Sequence, residues 1–158
     1  MAVRATLNIK PETLNTSGMV LAFDFGTQRI GVAVGEALLG QARPLTVIDT
    51  AANDERFAAI ARLIAEWQPT LLLVGLPLGM DGTEHDMSAR CRRFAHQLEG
   101  RFRLPVELVD ERLSSAAADT RLAARGMGWR ARKEQLDAEA AAILLQNFFD
   151  APVTTHKP

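Results

Sequence analysis

Apolar residues follow two rhythms along this chain: short unbroken runs, and longer stretches where they recur every three or four positions. Unbroken runs bounded by glycine or proline read as buried strands, and the three-to-four spacing reads as amphipathic helix. Met19 to Phe23 run straight into Asp24 and the turn Gly26-Thr-Gln-Arg29, and Ile30 to Gly35 then returns as the second arm of an antiparallel hairpin. Pro44 to Asp49 predicts a third strand. Asn53 or Asp54 is a good N-cap for a helix carrying Phe57, Ile60, Leu63, Ile64 and Trp67, which Pro69 ends. Thr70 to Val74 is a second buried run. Gly75 to Gly82, broken repeatedly by glycine and proline, predicts a loop. Thr83 or Asp86 opens a helix with Met87, Cys91, Phe94 and Leu98 on one stripe, and Pro105 to Val109 is a strand ending in Asp110-Glu111-Arg112. Ser114 or Ser115 caps a helix that stops near Gly126. A basic loop follows to Lys133, and a last helix runs from about Glu134 to Phe149. This order predicts an α/β domain: a mixed five-stranded sheet, three antiparallel strands first and parallel strands after, with helices on both faces. Residues 1–18 read as a flexible leader, 19–150 as a single domain and 151–158 as a flexible tail.

Composition changes this picture little. A chain of 158 residues can bury one proper core, and its 47% apolar and 23% charged residues are ordinary for a globular protein. A net charge of -1 gives no general attraction to nucleic acid or to a membrane surface, and no apolar run reaches membrane-spanning length. Cys91 is the only cysteine, which excludes internal disulfides and multi-cysteine metal sites and makes a reducing cytoplasm the default. Fifteen arginines stand against three lysines, a bias that suits bidentate phosphate contacts and follows equally from a GC-rich genome.

The candidate chemistry lies in carboxylates. Parallel crossover strands collect ligands outside their C-terminal ends, and three elements end there: at Asp24, at Gly75 and at Asp110-Glu111. Which member of the Asp110/Glu111 pair points toward Asp24 depends on a one-residue phase that the sequence leaves open. Asp137 shares a helical face with Ala141, Leu144, Leu145 and Phe148, the stripe that packs on the sheet, whereas Glu139 falls on the opposite, solvated side. Three acids meeting with few cations nearby would repel one another. A divalent metal removes that problem, and all-oxygen donors suit Mg²⁺ or Mn²⁺. Two ions about 4 Å apart are the usual arrangement for in-line phosphodiester cleavage. Each acid also has a plainer reading: Asp24 satisfied by amides of the Gly26 turn, Asp110-Glu111-Arg112 as a solvated turn, and Asp137 as a first-turn acid facing the helix dipole. Zinc on His85, Cys91 and His96 is disfavoured because Cys91 lies on an apolar stripe. Arg90, Arg92 and Arg93 read first as a solvated face. Arg121 to Lys133 interleaves Arg121, Arg125, Arg130, Arg132 and Lys133 with Trp129, a pattern that suits a nucleic-acid strand or, equally, a solvated loop.

Four stretches in order carry a family resemblance: Asp24-Phe-Gly-Thr-Gln-Arg-Ile-Gly-Val-Ala33, Val74-Gly-Leu-Pro-Leu-Gly-Met-Asp-Gly82, Val109-Asp-Glu-Arg-Leu-Ser-Ser115 and Asp137-Ala-Glu-Ala-Ala-Ala-Ile-Leu-Leu-Gln146. Together, from Met19 to Phe149, they resemble the YqgF/RuvX family, Holliday-junction-resolvase-like nucleases associated with maturation of the 5′ end of pre-16S ribosomal RNA. The resemblance implies a ribonuclease-H-like fold and a metal-dependent phosphodiesterase site of Asp24, Glu111 and Asp137, with Glu111 rather than Asp110 as the ligand. On that reading Asp24 bridges two Mg²⁺ or Mn²⁺ ions, Glu111 and Asp137 each hold one flank, and Arg29, Arg112, Trp129 and Arg130 contact the substrate. It implies a nucleic-acid partner, pre-rRNA or structured DNA, for a cytoplasmic monomer or homodimer that does not enter a membrane. Two further nucleic-acid readings are a Holliday junction resolvase and a non-catalytic RNA-binding module. A nucleotide-binding ATPase of the actin and sugar-kinase type shares the Asp-x-Gly-Thr turn but needs two copies of the core, and this chain has room for one.

Overall fold

The computed structural model describes residues 4–7, 18–79, 81–111 and 129–151, with the backbone alone at 4–7 and 129–134. The elements in chain order are β1 (Arg4–Leu7), β2 (Met19–Phe25), β3 (Ile30–Glu36), β4 (Gln41–Ile48), α1 (Asn53–Trp67), β5 (Leu71–Leu76), α2 (Asp86–Phe102), β6 (Val106–Asp110) and α3 (Trp129–Asp150). The sheet order is β1-β6-β5-β2-β3-β4. Strands β2, β3 and β4 form an antiparallel meander, while β5 runs parallel to β2 and β6 parallel to β5. The expected five-stranded core is therefore present, with a sixth strand at its edge. Arg4–Leu7, expected to belong to a loose leader, pairs antiparallel with β6. An open sheet edge offers unsatisfied backbone donors and acceptors that such a segment can take.

Pleating sorts the core into two layers. Leu21, Phe23, Val32, Val34, Leu72, Val74, Val106 and Leu108 pack with Phe57 and Ile60 of α1 and Cys91, Phe94 and Leu98 of α2. Val20, Ala22, Ala33, Leu71, Leu73 and Val109 pack against Ala141, Leu144, Leu145 and Phe148 of α3. The central strands β2 and β5 are apolar at successive positions because both faces are covered.

Local departures from the expected elements have local causes. Helix α1 is preceded by Ala52 with no side-chain cap, so Asn53 is its first helical residue rather than its cap. It ends as expected before Pro69, at Gln68 in the left-handed conformation. Helix α2 is capped by His85, not by Thr83 or Asp86: the His85 side chain accepts from the Met87 amide, while Ser88 Oγ accepts from the His85 amide at 3.0 Å. Strand β5 continues through Gly75 and Leu76, where a loop was expected, because β6 still supplies a parallel partner there, Leu76 facing Asp110.

The last helix departs most. It begins at Trp129, so the backbone from Trp129 to Lys133 is helical rather than loop, and residues 138–145 are buried at every position. Glu139, expected in solvent, is 1% exposed. The face away from the sheet is not a water face: Ala140 and Ile143 are buried there with Leu136 packed against them. At its far end Gln146 donates to the Gly40 carbonyl at 2.9 Å and accepts from the Ala42 amide at 3.0 Å, pinning α3 to the β3–β4 hairpin. Among the described residues no helix is long and apolar enough to cross a membrane. The expected helix from Ser114 to Gly126 lies outside the described residues.

Candidate active site

Side-chain alternation along the strands decides which acids can meet. Val20 and Ala22 face α3, and Asp24 is the next residue in that row. Leu71 and Leu73 face the same way and lead to Gly75; Val109 leads to Glu111, whose amide donates to the Leu76 carbonyl at 3.3 Å and prolongs the β6 ladder by one residue. Asp110 follows Val106 and Leu108 onto the opposite face, where it is buried. The phase left open by sequence thus comes out with Glu111 beside Asp24, the two carboxyls hydrogen-bonded to each other.

Two glycines make the close approach possible. Gly31 pairs across the hairpin with Asp24, and a Cβ there would collide with the carbonyl carbon and oxygen of Asp137. The α3 backbone therefore rests directly on β3 at the point that carries Asp24, bringing Asp137 to the same rim. A Cβ at Gly75 would collide with the Glu111 carboxylate, so the missing side chain is the space the carboxylate occupies.

Residues 18–151 match the RuvX family model, described as Holliday junction resolvase. The chain belongs to the RuvX family. A relative from Methylobacillus flagellatus is 58% identical over 141 residues, covering 89% of this chain and 97% of the relative. One from Chromobacterium violaceum is 56% identical over 135 residues, covering 85% and 98%. Both carry, as a provisional name, pre-16S rRNA nuclease. The solved structure of T. thermophilus RuvC in complex with a Holliday junction substrate aligns with a TM-score of 0.50 at 19% identity, over 84% of this chain and 93% of that one. That likeness is one of fold: the ribonuclease-H-like arrangement of an antiparallel meander followed by parallel strands.

Asp24 and Glu111 are not in their ordinary states. Burial pushes Glu111 up to about 9, with the Asp24 charge, the hydrogen bond it donates to Asp24 and the Asp110 charge adding to the rise. Burial also lifts Asp24, to about 6; accepting from Glu111 pulls it down and the Asp137 charge pushes it further up. At neutral pH the pair therefore keeps one proton, with Glu111 as donor. Asp137 stands apart, its Oδ2 accepting from Arg29 Nε at 2.7 Å. Among the described residues no three His, Cys, Asp or Glu side chains are gathered into a ready-made metal cage. The donor set nevertheless fits a hard cation. Desolvation and mutual repulsion make two carboxyls in contact hold a proton at neutral pH, and an oxygen-seeking divalent ion would relieve the same repulsion.

Other residues singled out from sequence divide by place. Arg29, expected on the substrate, is engaged with Asp137. Arg112 lies outside the described residues; Trp129 and Arg130 open α3, and their side chains lie outside them too. Cys91 is buried, its thiol pushed up to about 12 by desolvation and then by the Glu111 and Asp24 charges, which leaves it inert as nucleophile or ligand. Arg92 forks onto Glu84 at 2.9 and 2.7 Å on the surface.

Sequence reasoning missed Arg56. It is 5% exposed, donates Nε to the Thr50 carbonyl at 2.6 Å and Nη2 to the Gly26 carbonyl at 2.7 Å, and stacks over Phe25 at 5.3 Å. It thereby clamps the turn that follows Asp24. A signal existed: Arg56 falls four residues before Ile60, on the inner side of α1 where a cation is out of place.

Proposed function

We propose that this chain is a metal-dependent endonuclease that hydrolyses phosphodiester bonds and acts in processing the 5′ end of pre-16S rRNA in the cytoplasm, through a single nuclease domain spanning 19–150. The observation that carries the reading is the half-buried contact of Asp24 with Glu111 at the C-terminal rim of the parallel strands, with Asp137 brought to the same rim across Gly31. The names of the relatives supply the substrate class. Asp24, Glu111 and Asp137 would hold Mg²⁺ or Mn²⁺, two ions in the usual scheme. Metal at such a site activates water by lowering its pKa and neutralises charge on the leaving oxygen.

The chain's own residues have separable tasks. Asp24 is fixed in a central strand, and Arg56 clamps the turn that follows it. Glu111, one residue beyond its strand and seated in the space left by Gly75, would bind a cation as the carboxylate, its proton released. Asp137 presents its carboxylate from the helix that crosses the hairpin. Arg112, Trp129 and Arg130 belong to the substrate side of this reading, as phosphate contacts and a stacking surface.

A cleavage panel tests it: precursor rRNA fragments, single-stranded DNA and four-way junction DNA, with and without Mn²⁺, with Asp24→Asn as control. Metal-dependent cutting of the rRNA precursor that Asp24→Asn abolishes is the expected result. Equal rates for the variant and its parent would sink the site assignment. The family description keeps junction resolution as the second reading. Cutting a junction on two strands calls for two sites related by symmetry, so that reading requires a dimer when the panel is repeated beside sedimentation analysis.

A further inference from the structure

The acids of the rim differ in their neighbours: Asp24 and Glu111 lie against each other, whereas Asp137 has a guanidinium, Arg29, at 2.7 Å. Arg29 does not reach across from a distant surface. It closes the β2–β3 turn, its carbonyl packed so tightly on Gly26 that a Cβ there would approach it to 2.6 Å, and the next residue, Ile30, pairs with Phe25. The backbone of Arg29 is thus held in the same hairpin as Asp24, while its side chain is half in solvent, at 37% exposure against 26% for Asp137. Half-exposed ion pairs are weak and exchangeable, unlike buried ones. A positive charge therefore stands beside a carboxylate at a rim of acids, attached firmly by backbone and loosely by side chain.

We infer that Arg29 is a displaceable internal counter-ion of Asp137: it neutralises that carboxylate while the rim holds no divalent ion, and uptake of the ion through Asp137 releases the guanidinium. The inference rests on the metal reading of the site given above. It couples two events, since the arginine becomes available to a phosphate only as the ion binds. A permanent brace, in which Arg29 orients Asp137 for the metal, would have the opposite sign: removing it would weaken metal binding instead of relieving a competitor.

Calorimetric titration of Mg²⁺ into the full-length protein and into Arg29→Gln separates these. The variant is expected to bind Mg²⁺ more tightly, on the order of fivefold for the loss of a half-exposed pair. The second measurement uses the unaltered protein with ¹⁵N-labelled arginine. The Nε–H resonance of Arg29, identified by its disappearance in Arg29→Gln or Arg29→Lys, should move to the position of a solvated guanidinium as Mg²⁺ saturates. Weaker or unchanged affinity in Arg29→Gln overturns the inference, and so does an Arg29 resonance unmoved at saturation. If the parent takes up neither Mg²⁺ nor Mn²⁺, the metal reading fails and this inference with it; uptake with Arg29 undisturbed removes the inference alone.

Discussion

Asp24 and Glu111 illustrate what a side chain's chemistry owes to its neighbours. In water both would be ionised at neutral pH; against each other in a half-buried rim they keep a proton. Their linkage to stability has a definite sign. Glu111 rises from 4.5 to about 9 on folding, so between those values the folded chain binds more protons than the unfolded one. Metal-free protein should then be most stable at the acidic end of that window and lose stability toward pH 9, with a slope of up to about 1.4 kcal/mol per pH unit for one proton. Asp24 adds to the fall only between 3.8 and about 6. Urea midpoints measured in EDTA from pH 5 to 9 check this, and a level profile would mean that the pair is not desolvated and in contact as described. Asp24→Asn removes the charge that pushes Glu111 up. It should raise metal-free stability near pH 8 while lowering metal-dependent cleavage by at least about a hundredfold. A loss of both would point to a folding defect rather than to a missing ligand.

At the scale of elements, the rim depends on how closely α3 and the strand ends approach. Gly31→Ala sets a methyl group against helix backbone, which cannot turn aside, whereas Gly75→Ala sets one mainly against the movable end of Glu111. The first substitution should cost about 3 kcal/mol or more, as an overpacked contact that moves a whole helix. The second should cost less, about 1 kcal/mol, and still abolish cleavage by displacing Glu111. Thermal unfolding beside cleavage assays distinguishes them; equal destabilisation would show that Glu111 has no more freedom than the helix. Arg56→Met should loosen the turn after Asp24 and cost about 1–3 kcal/mol through two orphaned carbonyls, read as a lower urea midpoint. Strands and helices were legible in the chain wherever both neighbours and solvent were as the pattern assumed. The strand run at Met19 to Phe23 and the stripe of α1 are of that kind. Strand β5 ran past its expected end and α3 was buried where a water face was expected, because each depends on what other elements bring to it.

For the molecule as a whole, the candidate site is an outcome of topology. Asp24, Glu111 and Asp137 come from three elements, on a sheet whose parallel strands deliver their C-terminal ends to one rim. A net charge of -1 means that affinity for nucleic acid must come from local placement of arginines, so binding of RNA should fall as salt rises. Filter binding across a salt series checks this, and an affinity that does not change with salt would overturn it. Sequence by itself determined the order and type of the elements from β2 to β6 and the last helix, because apolar periodicity and turn residues are local properties; it did not show β1. Tertiary structure decided what periodicity left open, that Glu111 and not Asp110 lies beside Asp24, and it alone decided that Gly31 and Gly75 are the spaces into which helix and carboxylate fit, that Arg29 answers Asp137, and that Arg56 is inside. Those are statements about distance between residues remote in the chain. Pleat phase, close approach and burial exist only once the sheet and its helices are packed.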